Sequence, residues 1–179
     1  TLVCAPAGFG KTTLVSEWVA AHRRGGPQLE SRGAVLAPAG GISADLPSVP
    51  LQVAWLSLDE GDNDLTRFLT YLIAALHKLD IKIGQPVLSQ LEMGQPVQPE
   101  ALVAALINDV AASATPFLLV FDDYHLIQEE RIHQAVEFLA ERQPPEMHLI
   151  LISRVDPPLP LARLRGRGQM TEIRDHDLR

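Results

Sequence analysis

Thr1-Leu2-Val3-Cys4 is a short apolar run that enters Ala5-Pro6-Ala7-Gly8-Phe9-Gly10-Lys11-Thr12-Thr13 without a break. A helical pattern follows at once. An apolar strand, a glycine-bearing loop ending in Gly-Lys-Thr, and a helix form the context of a phosphate-binding loop. Few features narrow the fold so much, because the loop works only when strand and helix hold it from either side. Gly8 and Gly10 let the backbone turn so that successive N–H groups point into one concavity. The helix behind them adds its free amides and the positive end of its dipole. Lys11 is placed to reach the β- and γ-phosphates of a nucleotide, and the Thr12 hydroxyl to ligate magnesium. Ala5 stands where the strict pattern has glycine. A strand this short at residue 1 is what a piece cut from a longer chain would show.

The 179 residues suit one domain, taken as 1–179, and 46% of them are apolar, enough for a sizeable core. The formal charge of −7 argues against nucleic-acid binding by this surface itself. With one cysteine, Cys4, no internal disulfide is possible, and Cys4 reads as a small buried hydrophobe. No signal peptide opens the sequence, so a cytoplasmic setting is expected. No apolar run approaches the roughly 18 residues of a membrane helix.

Periodicity orders the rest. Thr13 to Arg24 reads as a helix with Leu14, Trp18 and Ala21 on one face. Gly25 to Pro50 is rich in glycine and proline and reads as a flexible insertion. Val53 to Leu58 is a strand that runs into the acidic turn Asp59 to Asp64. Leu65, Phe68, Leu69, Leu72, Ile73 and Leu76 then recur at helical spacing, with Asp62, Asn63 or Asp64 available as cap. A linker with proline and glutamine leads to a helix over Glu100 to Ala114. Phe117 to Phe121 is a continuous apolar run, the signature of a strand buried on both faces. A helix from about Glu129 to Arg142 follows, then a second buried strand, His148 to Ile152. Pro157, Pro158 and Pro160 interrupt the chain before a short helix at Leu161 to Leu164. Thr171 to Arg174 is a final strand. Strands alternating with helices predict an α/β sandwich on a mostly parallel sheet.

Ligands in such folds sit at the carboxyl ends of the strands. Three polar clusters fall there: the phosphate loop, Asp122-Asp123 and Ser153-Arg154. A carboxylate closing an apolar strand suits magnesium, which assigns Asp122 to the metal with Thr12. Asp123 is then the candidate to orient or deprotonate the attacking water. Arg154 is the candidate to sense the γ-phosphate or stabilise its developing charge. Asp59 near the nucleotide and a partner contact through Arg163, Arg165 and Arg167 are weaker ideas than a helix cap and solvated charge. His125 reads as a packed or surface histidine. No guanine-reading Asn-Lys-x-Asp is present, which favours adenine.

Four stretches resemble one family together: Ala5 to Thr13, Trp55 to Asp64, Asp122-Asp123-Tyr124-His125, and Ile152 to Arg165. They resemble the large ATP-binding regulators of the LuxR family, the maltose-regulator-like activators among the signal-transduction ATPases with numerous domains. The resemblance implies a P-loop NTPase three-layer sandwich with a five-stranded sheet in the order 2-3-4-1-5. It implies binding of ATP and magnesium, slow hydrolysis to ADP, and ATP-dependent self-association of the full-length regulator. It also implies a separate inducer-sensing region and a DNA-binding helix-turn-helix. A P-loop kinase of small molecules, or a module that binds nucleotide without turnover, are the competing functional readings.

Overall fold

The computed structural model describes residues 1–23, 51–94, 98–113 and 115–178. The proposed insertion at 25–50 lies outside the described residues, as do Arg24 and Ala114 at the ends of two expected helices. The described strands are β1 (Leu2–Cys4), β2 (Gln52–Ser57), β3 (Phe117–Asp122), β4 (Met147–Ser153) and β5 (Glu172–Arg174). They form one sheet in the order β2-β3-β4-β1-β5, and every neighbouring pair is parallel. The expected order holds, and the sheet is wholly rather than mostly parallel.

Parallel strands with both faces covered carry apolar side chains at successive positions. In β3, all six residues are buried. Phe117, Leu119 and Phe121 face one core, and Leu118 and Val120 face the other. The first core lies under α2 (Leu65–Leu76), α4 (Pro99–Ser113) and α5 (Glu130–Glu141). Here Phe68 packs on Phe121 with ring centroids 5.5 Å apart. The second core lies under α1 (Lys11–Arg23), whose Val15 and Val19 meet Val3, Ile150, Ile152 and Ile173. Helices on both sides of the sheet make the three layers. The buried stripe of α1 is Val15 and Val19, flanked by the partly buried Leu14 and Trp18, a rotation of the face expected from Leu14, Trp18 and Ala21.

The stretch read as a linker between α2 and α4 contains a helix, α3 (Gln85–Glu92). Its only fully buried side chain is Val87, so periodicity gave little sign of it. Its entry residue Gly84 has φ +80°, and its amide donates to Asp109 Oδ2 on α4 at 2.9 Å. A Cβ at Gly84 would sit 2.8 Å from both Ile73 on α2 and Leu106 on α4. Glycine is thus required by backbone and by packing.

At the far edge of the sheet, α6 (Leu161–Gly166) leads towards β5. The basic cluster there is ion-paired rather than simply solvated: Arg163 with Glu137 and Glu141, Arg167 with Glu141, Arg165 with Glu172. Arg174 pairs with Glu172 and with Asp156. The hydrogen bond from Arg165, with Arg174 beside it, lowers the Glu172 carboxyl from 4.5 to about 2.

Gly84→Ala should destabilise the protein by about 2–5 kcal/mol through left-handed backbone strain and overpacking together, read as a lower urea midpoint. A carboxyl depressed in the folded state contributes stability above its unfolded value and loses it as pH falls through the folded value. Glu172 should therefore cost the protein stability between pH 4.5 and about 2. Glu172→Gln should flatten that part of a stability-against-pH curve.

Candidate functional site

Register fixes the site. In β4, Ser153 lies beside Cys4 of β1, and Leu151 lies beside Phe121 of β3. The carboxyl ends of β3, β4 and β1 therefore stand side by side, each followed by one of the three polar clusters. The Ala5 amide donates to the Ser153 carbonyl at 3.3 Å, which ties the start of the phosphate loop to the end of β4. Ala5 is buried, so the alanine in place of glycine is part of the packing.

The loop has the backbone that its glycines permit. Gly8 has φ +85° and Gly10 φ +70°. Helix α1 begins at Lys11, two residues before the expected start, so Lys11 and Thr12 occupy its first turn beside the free amides. Pro6, Ala7, Gly8 and Gly10 are exposed, Phe9 half-buried, and Thr12 and Thr13 exposed. The Lys11 side chain is buried and folds back so that Nζ donates to the Pro6 carbonyl at 2.9 Å.

Asp122 closes β3. The Thr12 hydroxyl donates to its Oδ1 at 3.1 Å across 110 residues of sequence. The Asp123 amide donates to the same oxygen at 3.0 Å. Burial raises the Asp122 carboxyl above its ordinary value, against the lowering effect of the Thr12 bond. A buried carboxylate beside a hydroxyl is a pair of hard oxygen donors, and this donor set fits magnesium.

Asp123 has φ +56°, a left-handed conformation that aspartate tolerates better than most residues. Its side chain is exposed and stands 3.8 Å from His125 Nδ1. That nitrogen is buried with no hydrogen-bond partner among the described residues. Burial lowers the His125 imidazole below its ordinary value, and the charge of Arg154 acts in the same direction. Electrostatics thus join His125 to Lys11, Asp122, Asp123 and the exposed Arg154. Of the two expectations for His125, packed or surface, the structure shows the packed one, with a side chain 12% exposed.

Tyr124 anchors this turn from beneath. It is fully buried, and its hydroxyl bonds His133 Nδ1 of α5 at 2.9 Å. Asp59 is not part of the cluster. Its carboxylate accepts from the Gly61 amide at 2.7 Å and forms a capping box with Asp62. Asp64 is the residue that caps α2, through the Arg67 amide at 2.8 Å.

A wholly parallel sheet in this order, with a glycine-hinged loop and a lysine at the first turn of α1, defines a P-loop NTPase-type α/β sandwich. No family model matches the chain. Curated relatives do match it, and they are HTH-type transcriptional regulators named MalT. The protein from Serratia proteamaculans is 39% identical over 175 residues, 97% of this chain. Those from Cronobacter sakazakii and Klebsiella pneumoniae are 36% and 34% identical, each over 99% of the chain. The chain spans 16% of the length of each relative. The resemblance to maltose-regulator-like proteins is therefore found along nearly the whole chain. No described helix is long and apolar enough to cross a membrane.

A group whose folded value is raised favours folding at pH below its unfolded value, and that advantage is lost as pH rises through the folded value. Asp122 is such a group. In metal-free buffer, Asp122→Asn should gain stability relative to the parent as pH rises through the carboxylate range. Parallel urea titrations at acid and neutral pH check the sign.

Proposed function

We propose that this chain is an ATP-binding switch domain that hydrolyses ATP slowly and forms part of a larger transcriptional regulator. The observation that carries the reading is the bond from Thr12 to Asp122, because it joins the phosphate loop to a buried strand-end carboxylate. Thr12 and Asp122 are the residues that would hold magnesium. The metal, when bound, neutralises charge on the β- and γ-phosphate oxygens. The free amides of the Ala5 to Thr13 loop cradle the phosphates, and Lys11, held beside the loop by the Pro6 carbonyl, pairs with them. Asp123 orients or deprotonates the attacking water. Arg154 reads the γ-phosphate, and His125 feels the charges of both Arg154 and Asp123.

The relatives' printed name supports the larger setting. By that analogy the regulator binds promoter DNA through a helix-turn-helix outside these residues; ATP-dependent self-association and a cytoplasmic setting belong to the same proposal and rest on the motif resemblance alone. The net charge of −7 agrees with a portion that does not itself bind DNA.

Lys11→Ala should weaken ATP binding by about 1.5–3 kcal/mol, the scale of a bond to a charged group, or roughly tenfold to over a hundredfold. Calorimetry with ATP and magnesium measures it, and unchanged affinity would refute the site. In the same assay Asp123→Asn should keep ATP affinity while hydrolysis falls on the order of a hundredfold. Phosphate release that is already absent in the parent would favour the non-hydrolysing module instead.

A further inference from the structure

Asn63 sits in the acidic turn after β2, and its side chain reaches a segment more than sixty residues away. Its Nδ2 donates to the Glu60 carbonyl at 3.0 Å and to the Leu126 carbonyl at 2.9 Å. Its Oδ1 accepts from the Gln128 amide at 2.6 Å and the Glu129 amide at 3.1 Å. Two donors and two acceptor sites are all that a primary amide offers, and all are used. Aspartate at this place would turn an oxygen towards two carbonyls. Glutamine would be one methylene too long.

Both sides of this staple are hydrogen-bonded in place. The Asn63 backbone is held by the Asp59–Asp62 capping box, by Asp64 at the start of α2, and by the ion pair of Asp62 with Arg67 at 3.5 Å. The Leu58 amide bonds the Asp122 carbonyl at 3.0 Å, which ties the beginning of the turn to the end of β3. On the other side, Tyr124–Leu126 is a single 3-10 turn, with Leu126 N bonded to the Asp123 carbonyl at 3.0 Å. His125 lies inside that turn, one residue before the carbonyl that Asn63 holds. The segment is thus gripped at Asp122 by the sheet and at Leu126 to Glu129 by Asn63. Between the grips lie the left-handed Asp123 and the imidazole of His125.

We propose that Asn63 is a positioning residue for ATP hydrolysis, acting through the Asp123–His125 turn and touching no nucleotide itself. The proposal rests on the hydrolytic reading above. Without Asn63 the turn keeps its sheet anchor and the buried Tyr124 but loses the hold on Leu126 to Glu129, so Asp123 and His125 shift on either side of Tyr124 while the phosphate loop and Asp122 stay in place. Chemistry should suffer and binding should not, because small displacements of reacting groups cost rate steeply.

The test uses the full 179-residue chain and four variants: Asn63→Ala, Asn63→Asp, His125→Ala, and Asn63→Ala with His125→Ala. Calorimetry with ATP and magnesium, single-turnover hydrolysis, and the ring resonances of His125 by NMR are recorded. Hydrolysis should fall at least about tenfold in both single Asn63 variants, with ATP affinity within about threefold. Asn63→Asp preserves shape and keeps the result readable if the alanine variant folds poorly. In the His125→Ala background, Asn63→Ala should still cost rate through Asp123, but less than the loss it causes in the parent, the non-additivity of residues acting through one another. The His125 ring resonance should shift in the nucleotide-free Asn63 variants. Unchanged hydrolysis, a full additive loss, or affinity and rate falling together would overturn the proposal. If the parent shows no hydrolysis, the functional reading fails on its own. The positioning is then decided by the His125 resonance alone, and an unmoved resonance rejects it.

Discussion

The parallel register of β4 between β1 and β3 is the constraint from which the site follows. It aligns Ser153 with Cys4 and Leu151 with Phe121, so three strands end on one line. Parallel strands also send all their carboxyl ends to the same rim. Each of the three then releases its chain into a polar turn there. A slip of one residue in β4 would reverse which face Ile150 and Ile152 present, and both cores would lose their fit. The hydrophobic pattern that stabilises the sandwich therefore also sets the spacing between the phosphate loop, Asp122 and Arg154. Stability and site geometry are one specification.

Much of this was readable because buried parallel strands leave continuous apolar runs and covering helices leave a 3.6-residue stripe. Phe117 to Phe121, His148 to Ile152 and Leu65 to Leu76 stand out for that reason. The order of the strands came with the motif resemblance, since periodicity says nothing about neighbours in a sheet. Helix α3 was hidden because only Val87 is fully buried along it. Its formation depends on Gly84 fitting between Ile73 and Leu106, a tertiary fact with no local trace. Asn63 was legible only as a candidate cap, because its partners Leu126, Gln128 and Glu129 are more than sixty residues away.

The acidic turn shows how one composition can serve several tasks. From Asp59 to Asp64 the carboxylates look like a ligand set, yet those of Asp59, Asp62 and Asp64 are occupied by the backbone or by Arg67. Asp122, by contrast, is buried with its charge opposed by desolvation. Its Oδ1 is bound to Thr12 of the phosphate loop, so this carboxyl looks towards the loop whereas the others serve their own turn.

The hydrogen bond from Lys11 Nζ to the Pro6 carbonyl gives the phosphate loop a resting closure of its own. An ammonium offers three N–H donors, and this bond uses one of them, so two would remain for an anion in the proposed nucleotide site. The charge is held beside the loop from the start, and a side chain already ordered has little freedom left to lose on binding.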